Sequence, residues 1–296
     1  LKLSVVSEMH CQIIRVKSGL GNQMFQYALY RQLEYMGQDV RLDVSYINKN
    51  QEHNGYELDK VFYVAPRYAT AEELEYCQRR NGGIYGTIRT ALTSKEFFSE
   101  IERFVNKDLF YIDDILINGY WQHLAYFRNV VSELKREFVF RMPLDEKNVK
   151  YMQDIQAGDT VSIHIRKTDY LSEGFKKWYG CICDVCYYKR AIDAIYTLVK
   201  NPQFYIFSDD FEWVNQNLQI PNAIYIQGNT GEMAYIDMYL MSLCKHNIIS
   251  NSTFSWWAAW LNKNPDKIVM EPDRWCASRR KYKNSLVSKE WIRIKT

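Results

Sequence analysis

The sequence predicts an α/β protein of two lobes, each built on a parallel sheet. Three observations carry this. Short β-branched or aromatic runs alternate with stretches of three-to-four apolar periodicity, most regularly in the second half of the chain. The length of 296 residues is about twice that of a usual single domain. The composition is globular, with 47% hydrophobic and 25% charged residues, and 13 Gly with 6 Pro leave no long low-complexity linker.

Taken in order, a strand at 12–17, a Gly-bearing turn, a helix at 22–36 and a strand at 39–44 open the first lobe. Residues 50–108 are mixed, with helices at 71–80 and 94–105 separated by Asn81, Gly82 and Gly83. A strand at 115–119 and a helix at 124–138 follow. The stretch 142–159, which holds Pro143 and Gly158, reads as the crossing between lobes, giving domains 1–150 and 151–296. In the second lobe, strands at 160–166, 203–208, 223–227, 246–250 and 267–271 alternate with helices at 186–200, 210–218, 231–245 and 254–262. Strands alternating with helices in this way demand parallel pairing.

Composition narrows the function. The net charge of +3 has no long block of either sign, which suits a compact anion such as a nucleoside diphosphate and argues against nucleic acid as a partner. Aromatic residues make up 15% of the chain, enough to bring sugar or base recognition into view. Seven cysteines, an odd number in a chain this long, do not form a disulfide framework and point to a reducing compartment. No run of 18 apolar residues and no signal-like start is present, so the expectation is a cytoplasmic protein whose membrane contact, if any, is peripheral at the inner membrane.

Ligands of an open parallel sheet bind beyond the carboxyl ends of its strands, so chemistry is sought there. After the first strand comes Ser18-Gly19-Leu20-Gly21-Asn22-Gln23, where glycine lets backbone approach a ligand and Asn22 can cap the helix. A plain tight turn fits that pattern equally well. After strand 160–166 come His164, Arg166 and Thr168 on one side of an extended segment. A guanidinium there can grip phosphate through paired hydrogen bonds and neutralise a diphosphate leaving group. The alternative is an Arg166–Asp169 surface pair, contributing roughly 0–1 kcal/mol.

At the third edge, Ser252, Thr253 and Phe254 precede an apolar helix, so hydroxyls and helix N-terminal amides meet in an anion-competent site. An ordinary N-cap is the competing reading. Asp209 ends a strand and Asp237 lies on a helix, each a carboxylate that could accept N–H donors of a base. Cys181, Cys183 and Cys186 offer three thiols where a structural zinc needs four ligands, so free thiols are the preferred reading.

SGLGNQMFQYA at 18–28, NGYWQ at 118–122, HIRKTDY at 164–170, FSDD at 207–210 and NSTFSWWAAWLN at 251–262 together resemble the α-1,2-fucosyltransferases of glycosyltransferase family 11, in order and spacing, over residues 12–275. The resemblance implies a GT-B type fold, two Rossmann-like lobes facing across a cleft, with a C-terminal tail returning to the first. It implies inverting transfer of L-fucose from GDP-β-L-fucose to the 2-hydroxyl of a terminal β-galactoside, with no metal or other cofactor. The implied donor-binding residues are His164, Arg166, Asp209, Asp237, Ser252, Thr253 and Phe254, with His164 and Asp237 at the guanine and Arg166 on the β-phosphate. Gly21, Asn22 and Gln23 would lie on the acceptor side.

The catalytic set implied is Arg166, Asp169 and Glu173. Related core fucosyltransferases carry a glutamate ten positions after the motif histidine; here that position is Gly174 and Glu173 lies one short, so the base stays open between Asp169 and Glu173. The partners implied are GDP-fucose and a galactose-terminated oligosaccharide. A fucosyltransferase with another acceptor and a non-catalytic carbohydrate-binding protein are the alternatives.

Overall fold

The structure, a computed structural model, describes residues 12–50, 53–80, 107–111, 114–141, 143–168, 176–277, 286 and 288–296. It divides into two compact units, the chain passing from one to the other between Val139 and Phe140.

In the first unit, β1 (Gln12–Arg15) leads into the long helix α1 (Leu20–Tyr35) and then β2 (Val40–Asp43). Short helices α2 (Ser45–Asn50) and α3 (Leu58–Val61) and the helix α4 (Ala71–Arg80) precede β3 (Ile115–Ile117). The sheet order is β2-β1-β3, all parallel. Ile13, Ile14, Met24, Phe25, Leu29, Leu42 and Ile117 are fully buried, and Ile13 packs in one cluster with Cys77 of α4. Helix α1 begins two residues earlier than the expected position 22, with Gly19 as its N-cap. The expected helix at 124–138 is broken. Leu124–Tyr126 and Arg128–Val130 form tight 3₁₀ turns, and only Val131–Glu137 (α5) is α-helical. The break has a local cause, since His123 Nδ1 accepts the Ala125 N–H and Phe127 leaves the helical region at φ −148°. The expected helix at 94–105 and the break at 81–83 lie outside the described residues.

The second unit opens with α6 (Glu146–Ala157), in the stretch that the sequence reads as a connector. Pro143 and Gly158 flank this helix, and Asp145 caps it by accepting the Asn148 N–H at 2.8 Å. Next come β4 (Thr160–Ile165), α7 (Val185–Leu198), β5 (Gln203–Ser208), α8 (Phe211–Asn217) and β6 (Ile224–Ile226). They are followed by α9 (Tyr235–Leu243), β7 (His246–Ile248), α10 (Thr253–Leu261), β8 (Val269–Pro272) and β9 (Ile292–Ile294).

All six strands run parallel in the order β6-β5-β4-β7-β8-β9. The central strand β4 is buried along its whole length and its apolar residues join those of β5, α7 and α8 in one core. The C-terminal stretch supplies a sixth strand to the second unit's own sheet, Met270 pairing with Ile292. Its three residues, with Arg293 at the centre, carry too little pattern to announce a strand.

About half of the described aromatic side chains are core. Trp121, Trp256, Trp257, Tyr126, Tyr187 and Tyr188 are among the largest fully buried side chains, and Trp256 packs against Trp257, Trp260 and Trp291. Among the described residues no helix is long and apolar enough to cross a membrane, and no group of three or more His, Cys, Asp and Glu could hold a metal ion. Cys181, Cys183 and Cys186 are free thiols, two exposed and Cys183 buried.

Candidate functional site

Because β5, β4 and β7 are neighbours, the residues that follow them share one edge of the second sheet. Arg166 follows β4, Asp209 follows β5, and Ser250 to Ser252 follow β7 and lead into α10.

Arg166 pairs with Asp209, Nε to Oδ2 3.2 Å, while Asp169, its partner in the surface-pair alternative, lies outside the described residues. Its side chain is still 33% exposed, so the guanidinium lies at the surface of this edge. Asp209 does more than pair. It accepts the Lys167 N–H at 2.8 Å, the Thr168 N–H at 3.2 Å and the Thr168 hydroxyl at 2.6 Å. One carboxylate thereby fixes the path of three successive residues, Arg166 among them. Lys167, which the sequence reading passed over, secures the same segment from beneath. Its buried Nζ donates to Cys183 O at 2.7 Å and sits 4.1 Å from the Trp213 ring centre, and burial lowers its pKa.

His164 joins this segment to the next edge. Its Nδ1 lies 2.9 Å from Ser250 Oγ, within hydrogen-bond distance, and its ring is 5.7 Å from that of Phe254. Burial, then the nearby Arg166, pushes the imidazole down to about 3, so it is neutral at physiological pH. A ring this buried offers little surface to a base. Its observed contacts place it against Ser250 and Phe254, beside the Arg166 segment.

Helix α10, like α9, starts without a side-chain cap. Ser252 is its N-cap residue but makes no side-chain cap hydrogen bond, and no acidic residue stands in the first turn. Helices α6, α7 and α8 are each capped by a carboxylate, from Asp145, Asp184 and Asp210. The amides of α10's first turn thus keep both their donors and the positive end of the helix dipole for something else. Ser252 is buried while Thr253 and Phe254 are half-buried, so the rim of this helix end is partly open.

Asp237, in the first turn of α9, accepts from Asn229 Nδ2 at 2.8 Å. Asn229 also exchanges hydrogen bonds with Asn148, which ties the loop after β6 to α6. Burial raises the Asp237 carboxyl to about 7, with Asn229 and Lys147 pulling the other way. Asp169 and Glu173, the two candidates for the base, lie outside the described residues.

In the first unit, Gly21 is buried in the first turn of α1. Gln23 is fully buried and spent on backbone: it donates to Ser18 O and Gly55 O, both at 2.9 Å, and accepts the Glu57 N–H at 3.0 Å. It shapes the turn, with its amide engaged by backbone on both sides. Asn22 remains half-buried at the edge, donating to Ser18 Oγ and accepting from Gln122 Nε2 at 2.7 Å.

Two α/β units on parallel sheets agree with the GT-B type of glycosyltransferase fold. The fold agrees with the crystal structure of fucosyltransferase NodZ from Bradyrhizobium, 14% identical, with a TM-score of 0.54 over 85% of this chain and 92% of that one. Residues 95–295 match the model of glycosyl transferase family 11, and the chain belongs to that family. An alpha-1,2-colitosyltransferase of Escherichia coli is 30% identical over 95% of this chain and 98% of its own length. The human galactoside alpha-(1,2)-fucosyltransferase 1 is 26% identical over 49% of this chain and 42% of its own. The protein is therefore a family 11 glycosyltransferase related to enzymes that form α-1,2 linkages.

Proposed function

We propose that this enzyme transfers L-fucose from GDP-β-L-fucose to the 2-hydroxyl of a terminal β-galactoside, inverting the anomeric centre. The observation that carries the reading is the convergence of Arg166 and the uncapped start of α10 on adjoining strand ends of a family 11 chain. The acceptor oxygen bonds to the anomeric carbon as that carbon's bond to the β-phosphate oxygen breaks. Negative charge then gathers on GDP. Arg166 and the α10 amides stabilise that charge where it develops, so the chemistry requires no metal ion. Asp237 accepts N–H donors of guanine, Ser252, Thr253 and Phe254 border the diphosphate and sugar, and Asp169 or Glu173 takes the acceptor's proton. Asp209 and Lys167 act on the reaction through Arg166, by holding its segment.

The galactoside-specific relative supports the acceptor and the fucosyl donor. The colitosyltransferase relative, matched over nearly the whole chain, favours a second donor. Colitose is a fucose lacking one hydroxyl, so both sugars present the same face to Arg166 and α10. Incubation with lactose and either GDP-fucose or GDP-colitose, followed by linkage analysis, tests the reading. An α-1,2-fucosylated product formed in the presence of a chelator supports it; faster transfer from GDP-colitose replaces the donor; and no transfer from either rejects the proposal.

A further inference from the structure

A cavity of about 290 Å³ opens in the second unit between α7 and the segment that joins α8 to β6. The topology defines its place. Helix α7 leaves the carboxyl end of β4 and returns the chain to the amino end of β5, and Leu218 to Pro221 lead toward the amino end of β6. The cavity therefore lies away from the strand edge that carries Arg166 and the start of α10.

Its floor is apolar. Ile192, Leu218 and Ile220 are buried members of the core around β4, and Pro221 completes the wall. The rim is polar and exposed: Lys189, Asp193 and Tyr196 stand with Ile192 on one face of α7 at three-to-four spacing, and Gln219 joins them from the loop. Tyr196 is 49% exposed, and Phe204 steadies its ring at 5.4 Å between centroids. Aromatic surface is thus left open beside the floor. Among the described residues, the side chains of Lys189, Asp193 and Gln219 make no hydrogen bond or ion pair. A lysine four positions before an acidic residue is the weaker order for pairing on a helix, so both charges stay available.

These groups together select the ligand. The two charges cancel, which favours a neutral molecule, and a phosphate would be repelled by Asp193. An alkyl chain would strip water from both charges without replacing its hydrogen bonds. A sugar ring answers every part: C–H faces for the floor and the Tyr196 ring, and hydroxyls that both donate and accept for Lys189, Asp193 and Gln219. Ligand clefts run from roughly 300 to 1,000 Å³, so this one suits a single ring. We infer that the cavity is a second carbohydrate site, which holds one neutral pyranose unit of a glycan apart from the edge where transfer takes place. The inference goes beyond the proposed transfer, and neither depends on the other.

Hydrogen–deuterium exchange read by mass spectrometry tests it, with millimolar lactose as the probe, on wild type, Tyr196→Ala and Asp193→Ala. Both substitutions fall at exposed positions, and an unchanged melting temperature checks that the variants fold. Lactose should slow exchange in wild-type peptides covering 189–196 and 218–221, and each variant should lose at least half of that protection. Absence of protection in wild type, or undiminished protection in either variant, overturns the site. Equal protection by inorganic phosphate or by butanol also overturns it, in favour of an anion site or a purely apolar pocket. Transfer is not read in this experiment, so its failure leaves the proposed function standing.

Discussion

Arg166 has one described ion-pair partner that also grips its two successors, and this makes the role of Asp209 distinguishable from that of Arg166 itself. Arg166→Ala removes the charge at the leaving group, and kcat/KM should fall by roughly 100-fold or more. Melting should hardly change, because a partly exposed ion pair is worth about 1 kcal/mol at most. Asp209→Ala keeps the guanidinium but frees its segment, so steady-state kinetics should show kcat lowered about tenfold with a smaller rise in donor KM. Equal losses in both variants would mean that Asp209 touches the donor directly. Asp237 gives a pH signature. Its carboxyl is raised to about 7 by burial, so it is protonated below that pH and a carboxylate above it. Only the carboxylate accepts both N–H groups of a base, so donor KM should fall as pH rises through 7. Asp237→Asn should abolish that dependence, and an unchanged profile would remove Asp237 from the donor site.

Helix α10 leaves its N-terminus uncapped while three helices of the same unit close theirs with a carboxylate. An element that forgoes about 1 kcal/mol of capping has its amides available for an anion. Ser252→Asp should therefore hold or raise the melting temperature while abolishing GDP binding, a pair of outcomes that thermal shift with and without GDP reads in one experiment. Loss of stability with retained binding would contradict the assignment. The start of this helix was legible in the Ser-Thr-Phe run before an apolar stretch, but the absence of a cap bond was not, since it depends on where the Ser252 hydroxyl points. The same limit hid the clamps of α1. The sequence marks 18–28 as a Gly-bearing turn and helix, yet the partners of Gln23 and Gln26 sit at Gly55 and Gly119, far along the chain. Gly119 itself is explained only by the fold, because an added Cβ would lie 2.8 Å from the Trp121 ring.

At the level of the whole molecule, the alternation of strands and helices made the parallel sheets legible, and long contiguous motifs made the family legible. The residues that hold the Arg166 segment were not, because Lys167 acts through contacts to Cys183 and Trp213 that no local pattern encodes. Stability carries its own pH dependence. Glu271 is fully buried on β8, and burial pushes its carboxyl up to about 8, against the pull of the Ser288 backbone and Arg293. The folded state thus holds a proton that the unfolded chain releases near 4.5. Its contribution is full below that value and is lost as pH rises through 8. Melting temperature should decline between pH 5 and 9, and Glu271→Gln should flatten the decline. The central claim, that Arg166 and the α10 amides together hold a nucleoside diphosphate, is tested most directly by calorimetric titration of GDP in chelator-containing buffer. Wild type should bind and Arg166→Ala should bind at least tenfold more weakly, whereas equal affinity in the two proteins would contradict the account.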